Sequence, residues 1–216
     1  MMFGKSGMRS DKRLAIIGGA ALMLLLPLGR SWGALISPKI DERLRNIQLC
    51  NQSDRKFVDA QIEGCSALIK DGKEPTLVLA IAHNNRGNAY SVKDDYDRAI
   101  QDYDVAIRLD PTYPKPFNNR GLAYQKKGEY DRAIKDFDQA IKLSPKYGYA
   151  FANRADTYQK MHEYTRAVQD YDEALRVAPN LQAVWNGRCW AHAIIGLQLA
   201  DDGMRPMTPR HTTRAA

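Results

Sequence analysis

Cysteine is scarce in this chain, since its 216 residues include only three, too few for a small fold built on disulfides. Proline and glycine are also few, at 10 and 15 residues, which excludes collagen-like and low-complexity chains. With 44% hydrophobic and 26% charged residues, the composition is that of an ordinary globular protein. The fold must therefore come from the packing of apolar side chains.

The net charge of +7 does not come from the central part of the chain. Of the 32 Lys and Arg residues, five lie in residues 1–33 and three in residues 203–216, whereas one of the 25 Asp and Glu residues lies in the first of these segments. Residues 34–202 therefore carry 24 groups of each sign. Neutralising a phosphate backbone requires a basic surface, so we do not expect nucleic acid to be a partner.

The longest hydrophobic run, residues 14–28, follows a basic N-terminal segment. A membrane-spanning helix needs about 20 apolar residues, and this run is shorter. Small residues come next, and the three features together are typical of a secretory signal peptide. We expect cleavage after Gly33, with Ala34 as the second choice, and an exported chain in the periplasm or the medium. The alternative is that the segment is retained as a membrane anchor.

A pattern with a period of 34 residues runs from residue 80 to about residue 196. The columns hold an aromatic residue, Arg, a small residue, Tyr, Ala, a second aromatic residue, Ala and Pro, as in Phe117, Arg120, Gly121, Tyr124, Ala133, Phe137, Ala140 and Pro145. In each half of a copy the apolar columns fall on one face of a helix, and the proline ends the second helix. The period therefore predicts stacked helix hairpins.

Each copy resembles a tetratricopeptide repeat in these columns. The resemblance implies an all-α fold of helix-turn-helix units stacked in a right-handed superhelix, of an exported bacterial type, whose first helices line a concave groove. The chain departs from the family in one column, where Arg replaces the usual Leu before the small residue.

The pattern and its ends divide the chain into seven segments. They are a signal peptide at 1–33, a degenerate N-terminal helical cap at 41–75, repeats at 80–113, 114–147 and 148–181, an incomplete fourth repeat acting as a cap at 182–202, and a disordered tail at 203–216.

Asparagines beside the Arg column are the candidate partner-binding residues. They are Asn84, Asn85, Asn88, Asn118, Asn119 and Asn153. The resemblance places this column on the concave groove, where an amide can donate one hydrogen bond to a peptide backbone and accept another from it. The arrangement is similar to the asparagine ladder of the O-linked N-acetylglucosamine transferase. The alternative is that the amides form hydrogen bonds within or between repeats.

The carboxylate clamp of chaperone-binding repeats matches this chain less well. Asn88 and Asn119 fit the clamp, but Asn84, Tyr149 and Asn153 stand where the clamp has basic residues.

The Arg column predicts ion pairs, because a charge beside a packing position is costly unless it is paired. An Asp lies sixteen residues after each of the first three arginines. We therefore expect Arg86–Asp102, Arg120–Asp136 and Arg154–Asp170 pairs. Arg188 has Met204 at that offset, so we expect it to be unpaired.

The cysteines suggest one structural bond rather than chemistry. In an exported protein Cys50 and Cys65 are expected to form a disulfide across the N-terminal cap, although two buried thiols are the alternative. Cys189 and His192 are a thiol and an imidazole three residues apart, but they occupy core columns and have no orienting third group. We expect them to be packed in the core.

The expected function is a non-catalytic protein interaction scaffold that binds a peptide or partner protein in the groove. An envelope assembly factor or chaperone-like adaptor is the alternative form. The sequence has no zinc-ligand spacing, no glycine-rich phosphate loop and no titratable cluster of a catalytic kind, so we expect no metal, cofactor or enzymatic activity.

Overall fold

The computed structural model describes residues 38–201, with side chains from residue 40 to residue 197, and every regular element in this part of the chain is helical. Its helices are α1 (Pro38–Cys50), a 3-10 turn (Arg55–Phe57), α2 (Val58–Asp71), α3 (Thr76–Val92), α4 (Tyr96–Leu109), α5 (Pro114–Lys126), α6 (Tyr130–Leu143), α7 (Gly148–Lys160), α8 (Tyr164–Val177) and α9 (Gln182–Asp201). The predicted all-α class of helix-turn-helix units is confirmed. The expected signal peptide and tail lie outside the described residues.

Helices that follow one another in the chain pack together from α2 to α9. Further contacts join α3 to α5, α5 to α7 and α7 to α9, so the first helices of successive repeats touch each other directly. The first helices therefore form one layer, which we call the inner layer, and α4, α6 and α8 pack behind it. No helix between residues 38 and 201 has the length and apolar composition needed to cross a membrane.

The small and aromatic columns set how closely the two helices of a repeat approach. A Cβ atom added to Gly121 on α5 would lie 2.7 Å from the ring of Phe137 on α6. A Cβ atom on Gly87 would lie equally close to Tyr103 in the preceding repeat. Each aromatic ring thus fills the space that the missing side chain leaves, and both rings are fully buried.

The turn between the two helices of each repeat contains a residue in the left-handed region. The residues are Asp94, Gly128 and His162, with φ of 58°, 78° and 62°, at the same 34-residue spacing. Only glycine adopts this conformation without a steric cost, and Asp and His are tolerated there. Our sequence reasoning missed this column, because only one of its three members is a glycine.

The N-terminal unit is a helix pair closed by a covalent bond. Cys50 at the end of α1 and Cys65 in α2 form a disulfide in the structure, at a sequence separation of 15. A Cβ atom on Gly64 would lie 2.5 Å from the Cβ atom of Leu49, so the two helices approach closely at this glycine. The disulfide therefore lies beside a close approach of the two helices.

Candidate interaction site

Paired arginines tie the two helices of each repeat together. The guanidinium groups of Arg86, Arg120 and Arg154 each donate two hydrogen bonds to the Asp sixteen residues later. For Arg120 the donors Nε and Nη2 lie 2.8 and 2.7 Å from the carboxylate oxygens of Asp136. The Arg86 and Arg154 pairs have the same geometry, at 2.7 to 2.8 Å. The three predicted pairs are confirmed, and each is bidentate, the strongest form of such a pair.

From the second repeat onward, a second carboxylate joins each Arg to the helix pair before it. Arg120 also pairs with Asp104 of α4, and Arg154 with Asp138 of α6. Arg188 pairs with Asp172 of α8 at the same offset, through Nε and not Nη1, so the expectation that Arg188 is unpaired was wrong. The error came from searching for an acid only sixteen residues after each Arg, whereas one also lies sixteen residues before. Each second helix carries two acids that flank its buried aromatic residue, and they face two different arginines.

The electrostatics of this network keep the arginines charged. Burial alone would lower the pKa of Arg120, but hydrogen bonds and charge from Asp136, and then from Asp104, outweigh it and raise the pKa. Burial likewise works against the charged form of Asp102, yet hydrogen bonds from Arg86 and His83 hold its pKa below the usual value. Arg86, Arg120 and Arg154 are therefore cations held inside the stack by their own acids.

The asparagines form a continuous chain of hydrogen bonds along the inner layer. Each amide NH₂ group donates to the side-chain oxygen of the next in the order Asn153, Asn118, Asn119, Asn84, Asn85 and Asn51. The donor–acceptor distances are 2.8 to 3.3 Å. Asn119 also donates to Asn88, which accepts a hydrogen bond from Tyr103 as well. This series of hydrogen bonds, which we call the amide ladder, crosses three boundaries between helix pairs and reaches the N-terminal unit.

The amide ladder divides the candidate partner-binding residues into two groups. Asn84 and Asn118 are 2% and 3% exposed, so their amides are enclosed within the ladder. The other four, Asn85, Asn88, Asn119 and Asn153, are half-buried. The inter-repeat hydrogen bonds of the alternative interpretation are thus present, and partner contact through the half-buried members stays a prediction.

The exposed side chains on the inner layer include one aromatic and two basic residues. Tyr149 on α7 is 59% exposed, and Lys126 on α5 and Lys160 on α7 are exposed as well. Sequence reasoning named Tyr149 only as a departure from the carboxylate clamp. Its position near the start of a first helix, outside every packing column, was the signal that could have found it.

The thiol and imidazole pair lies at the surface, not in the core. Cys189 and His192 are both exposed on α9, so the expectation of core packing was wrong. In the earlier repeats the second helix covers these columns, and within residues 38–201 no second helix follows α9. The part of the chain that the structure describes holds no group of three side chains able to bind a metal ion.

The comparisons with known proteins agree with this architecture. The model of the tetratricopeptide repeat family matches residues 114–147 and 148–181, and a further model of this repeat matches residues 87–128. None of the curated proteins matches the chain in sequence.

Three solved structures illustrate the likeness. The second tetratricopeptide domain of human RPAP3 in complex with the HSP70 peptide SGPTIEEVD is 30% identical, with a TM-score of 0.52, covering 55% of this chain and 98% of that one. The first such domain of Spaghetti (RPAP3), bound to the HSP90 peptide SRMEEVD, is 26% identical, with a TM-score of 0.53 and coverages of 54% and 93%. The Sgt2 domain from Aspergillus fumigatus is 24% identical, with a TM-score of 0.54 and coverages of 63% and 91%, and it shows the fold alone. The chain belongs to the tetratricopeptide repeat family.

Proposed function

We propose that this protein is a non-catalytic interaction scaffold that holds an extended segment of a partner protein against the inner layer. The observation that carries the proposal is the likeness to two domains whose structures contain bound peptides. The inner layer gives such a segment a rigid surface, because the Arg pairs and the amide ladder fix each first helix relative to the next. A preorganised surface binds with a smaller loss of conformational entropy.

The ligand differs in its anchoring from the peptides of those two complexes. Both peptides end in EEVD. In this chain the clamp positions identified from the sequence hold Asn84, Tyr149 and Asn153 in place of basic residues, and Asn84 is buried. A terminal carboxylate would therefore lack cations at these positions. The exposed ring of Tyr149 favours a ligand that presents an apolar or aromatic side chain.

Location and partner class follow from the N-terminal segment. The predicted signal peptide supports export, so the partner would be a periplasmic or secreted protein, and the disulfide suits an oxidising compartment. An envelope assembly factor or chaperone-like adaptor is the second form of this proposal. Contact with a membrane follows only if the signal segment is retained as an anchor.

The test is selection of peptides from a displayed random library on the full chain, followed by affinity measurement. Tyr149→Ala and Lys126→Glu, both on the inner layer, should weaken a selected peptide at least tenfold. Lys135→Glu is the matched control, because Lys135 is exposed on α6 in the same repeat. Equal losses for Lys126→Glu and Lys135→Glu would contradict binding on the inner layer. Saturable binding of a single-stranded DNA oligonucleotide that weakens steeply with added salt would instead support a nucleic-acid ligand.

A further inference from the structure

The last described helix, α9, repeats the columns of the earlier first helices but leaves them uncovered. Phe117 and Phe151 are 8% and 9% exposed, whereas Trp185 in the same column is 45% exposed. The next columns along α9 hold Cys189 and His192, which are exposed too. We call these three residues the open face of α9.

The earlier repeats show what shape fits this face. On α5 the small residue Gly121 receives the ring of Phe137 from the second helix. Ala133 and Ala140 flank that ring by one turn on either side and are completely buried, so the second helix lies close to the first along its length. A second helix with an aromatic residue between two alanines therefore fits a first helix that carries a small residue between two aromatic residues.

The same repeats indicate which charge a helix bound to this face would carry. Arg120 is held by two carboxylates, one from the preceding second helix and one, Asp136, directly before the ring of Phe137. Arg188 has the carboxylate from the preceding helix, Asp172, through its Nε atom. Among residues 38–201, Arg188 has no acid that corresponds to Asp136. The open face thus leaves the space over the small residue Cys189 uncovered, between Trp185 and His192, beside a guanidinium whose Nη atoms pair with no acid among the described residues.

We propose that the open face of α9 binds an α-helix of another protein in the position that a second helix occupies in the earlier repeats. The bound helix carries Ala, then Asp and an aromatic residue as neighbours, then Ala, in the spacing of Ala133, Asp136, Phe137 and Ala140. The aromatic ring lies over Cys189, and the carboxylate pairs with Arg188. This surface is separate from the peptide-binding surface of the proposed function.

A second copy of this chain is the weaker occupant. Residues 182–197 of α9 contain no Asp or Glu, so two open faces packed together would bring two Arg188 side chains to one interface, each with its own Asp172 as its acid and with no second carboxylate to hold it. The helices of a second copy that carry the required pattern, α4, α6 and α8, already have their aromatic residues and alanines buried in their own chain.

The experiment uses a peptide with the sequence of α6, Tyr130–Leu143, blocked at both ends and labelled with fluorescein. Titration of the full chain into this peptide should give saturable binding, measured by fluorescence anisotropy. Peptides with Phe137→Ala or Asp136→Asn should bind at least tenfold more weakly. In the protein, Cys189→Leu fills the space over residue 189 and should weaken binding tenfold, while Cys189→Ala should leave it within twofold. Circular dichroism melting confirms that both variants are folded.

A double-mutant cycle tests the charge pair directly. Arg188→Met should weaken the unchanged peptide about fivefold but have no effect on the Asp136→Asn peptide. The proposal is overturned by absence of saturable binding at millimolar protein, or by equal affinity for the Phe137→Ala peptide. Unchanged binding by the Cys189→Leu protein also overturns it, because the peptide would then be at another surface. A dimer seen by sedimentation and abolished by Cys189→Leu would assign the face to a second copy instead. Lys126→Glu, which tests the inner layer, should leave this binding unchanged.

Discussion

Two helices of this molecule, α5 and α9, share the same columns of sequence and differ in what covers them. On α5 the columns are enclosed by α6, and its arginine holds two carboxylates. On α9 the corresponding aromatic and small residues are exposed, and the arginine has one. The position of a residue in the repeat therefore specifies how its side chain can pack. How much that side chain contributes to stability depends on whether a following helix covers it. Matched substitutions in the two helices separate these effects.

The aromatic column should give the largest difference. Phe151→Ala removes a side chain that is 9% exposed and part of the largest core cluster, so we expect a loss of about 3–5 kcal/mol in the free energy of unfolding. Trp185→Ala removes a half-exposed ring and should cost about 1–2 kcal/mol, despite its greater size. Urea denaturation followed by circular dichroism measures both. Equal losses would mean that α9 is as enclosed as α7.

The disulfide at the opposite end is the next test, since it closes the N-terminal unit covalently. In the chain-entropy model a closed loop of 15 residues stabilises by about 3 kcal/mol, so Cys50→Ser with Cys65→Ser should lower stability by that amount. Hydrogen exchange should show the loss concentrated in α1 and α2. Cys189→Ser is the control and should change stability by less than about 0.5 kcal/mol. A double variant as stable as the unchanged chain would show that packing at Gly64 suffices.

Much of this architecture could be predicted from sequence, and the exceptions have a common cause. The repeat period located the helices and the three Arg–Asp pairs, because packing columns recur in every copy. Arg188 was predicted wrongly, and Cys189 was placed in the core, because each depends on a neighbouring element and not on its own copy. The sequence left the role of the asparagines in the amide ladder open, because amides that line a groove and amides that form hydrogen bonds with each other have the same spacing.

The Arg column tests the network that joins repeats. Arg120→Met leaves two carboxylates without their shared cation, and we expect a loss of about 2–3 kcal/mol, below the full cost of breaking a buried pair because the guanidinium is partly hydrated. Adding Asp136→Leu should recover part of the loss, because the buried charge is removed. Arg188→Met affects one exposed pair and should cost less than about 1 kcal/mol. A double variant no more stable than Arg120→Met would contradict the pairing as the source of the loss.

The amide ladder gives the smallest expected effect and bears on whether its members are free to bind a partner. Asn119→Ala removes a donor to both Asn84 and Asn88 and an acceptor from Asn118, leaving buried amide groups without partners. We expect a loss of about 1–2 kcal/mol, measured by thermal and urea unfolding. Asn186→Ala, an exposed asparagine on α9, should change stability by less than about 0.5 kcal/mol. If Asn119→Ala were equally neutral while it weakened a peptide selected on the chain, the half-buried asparagines would serve the ligand and not the stack.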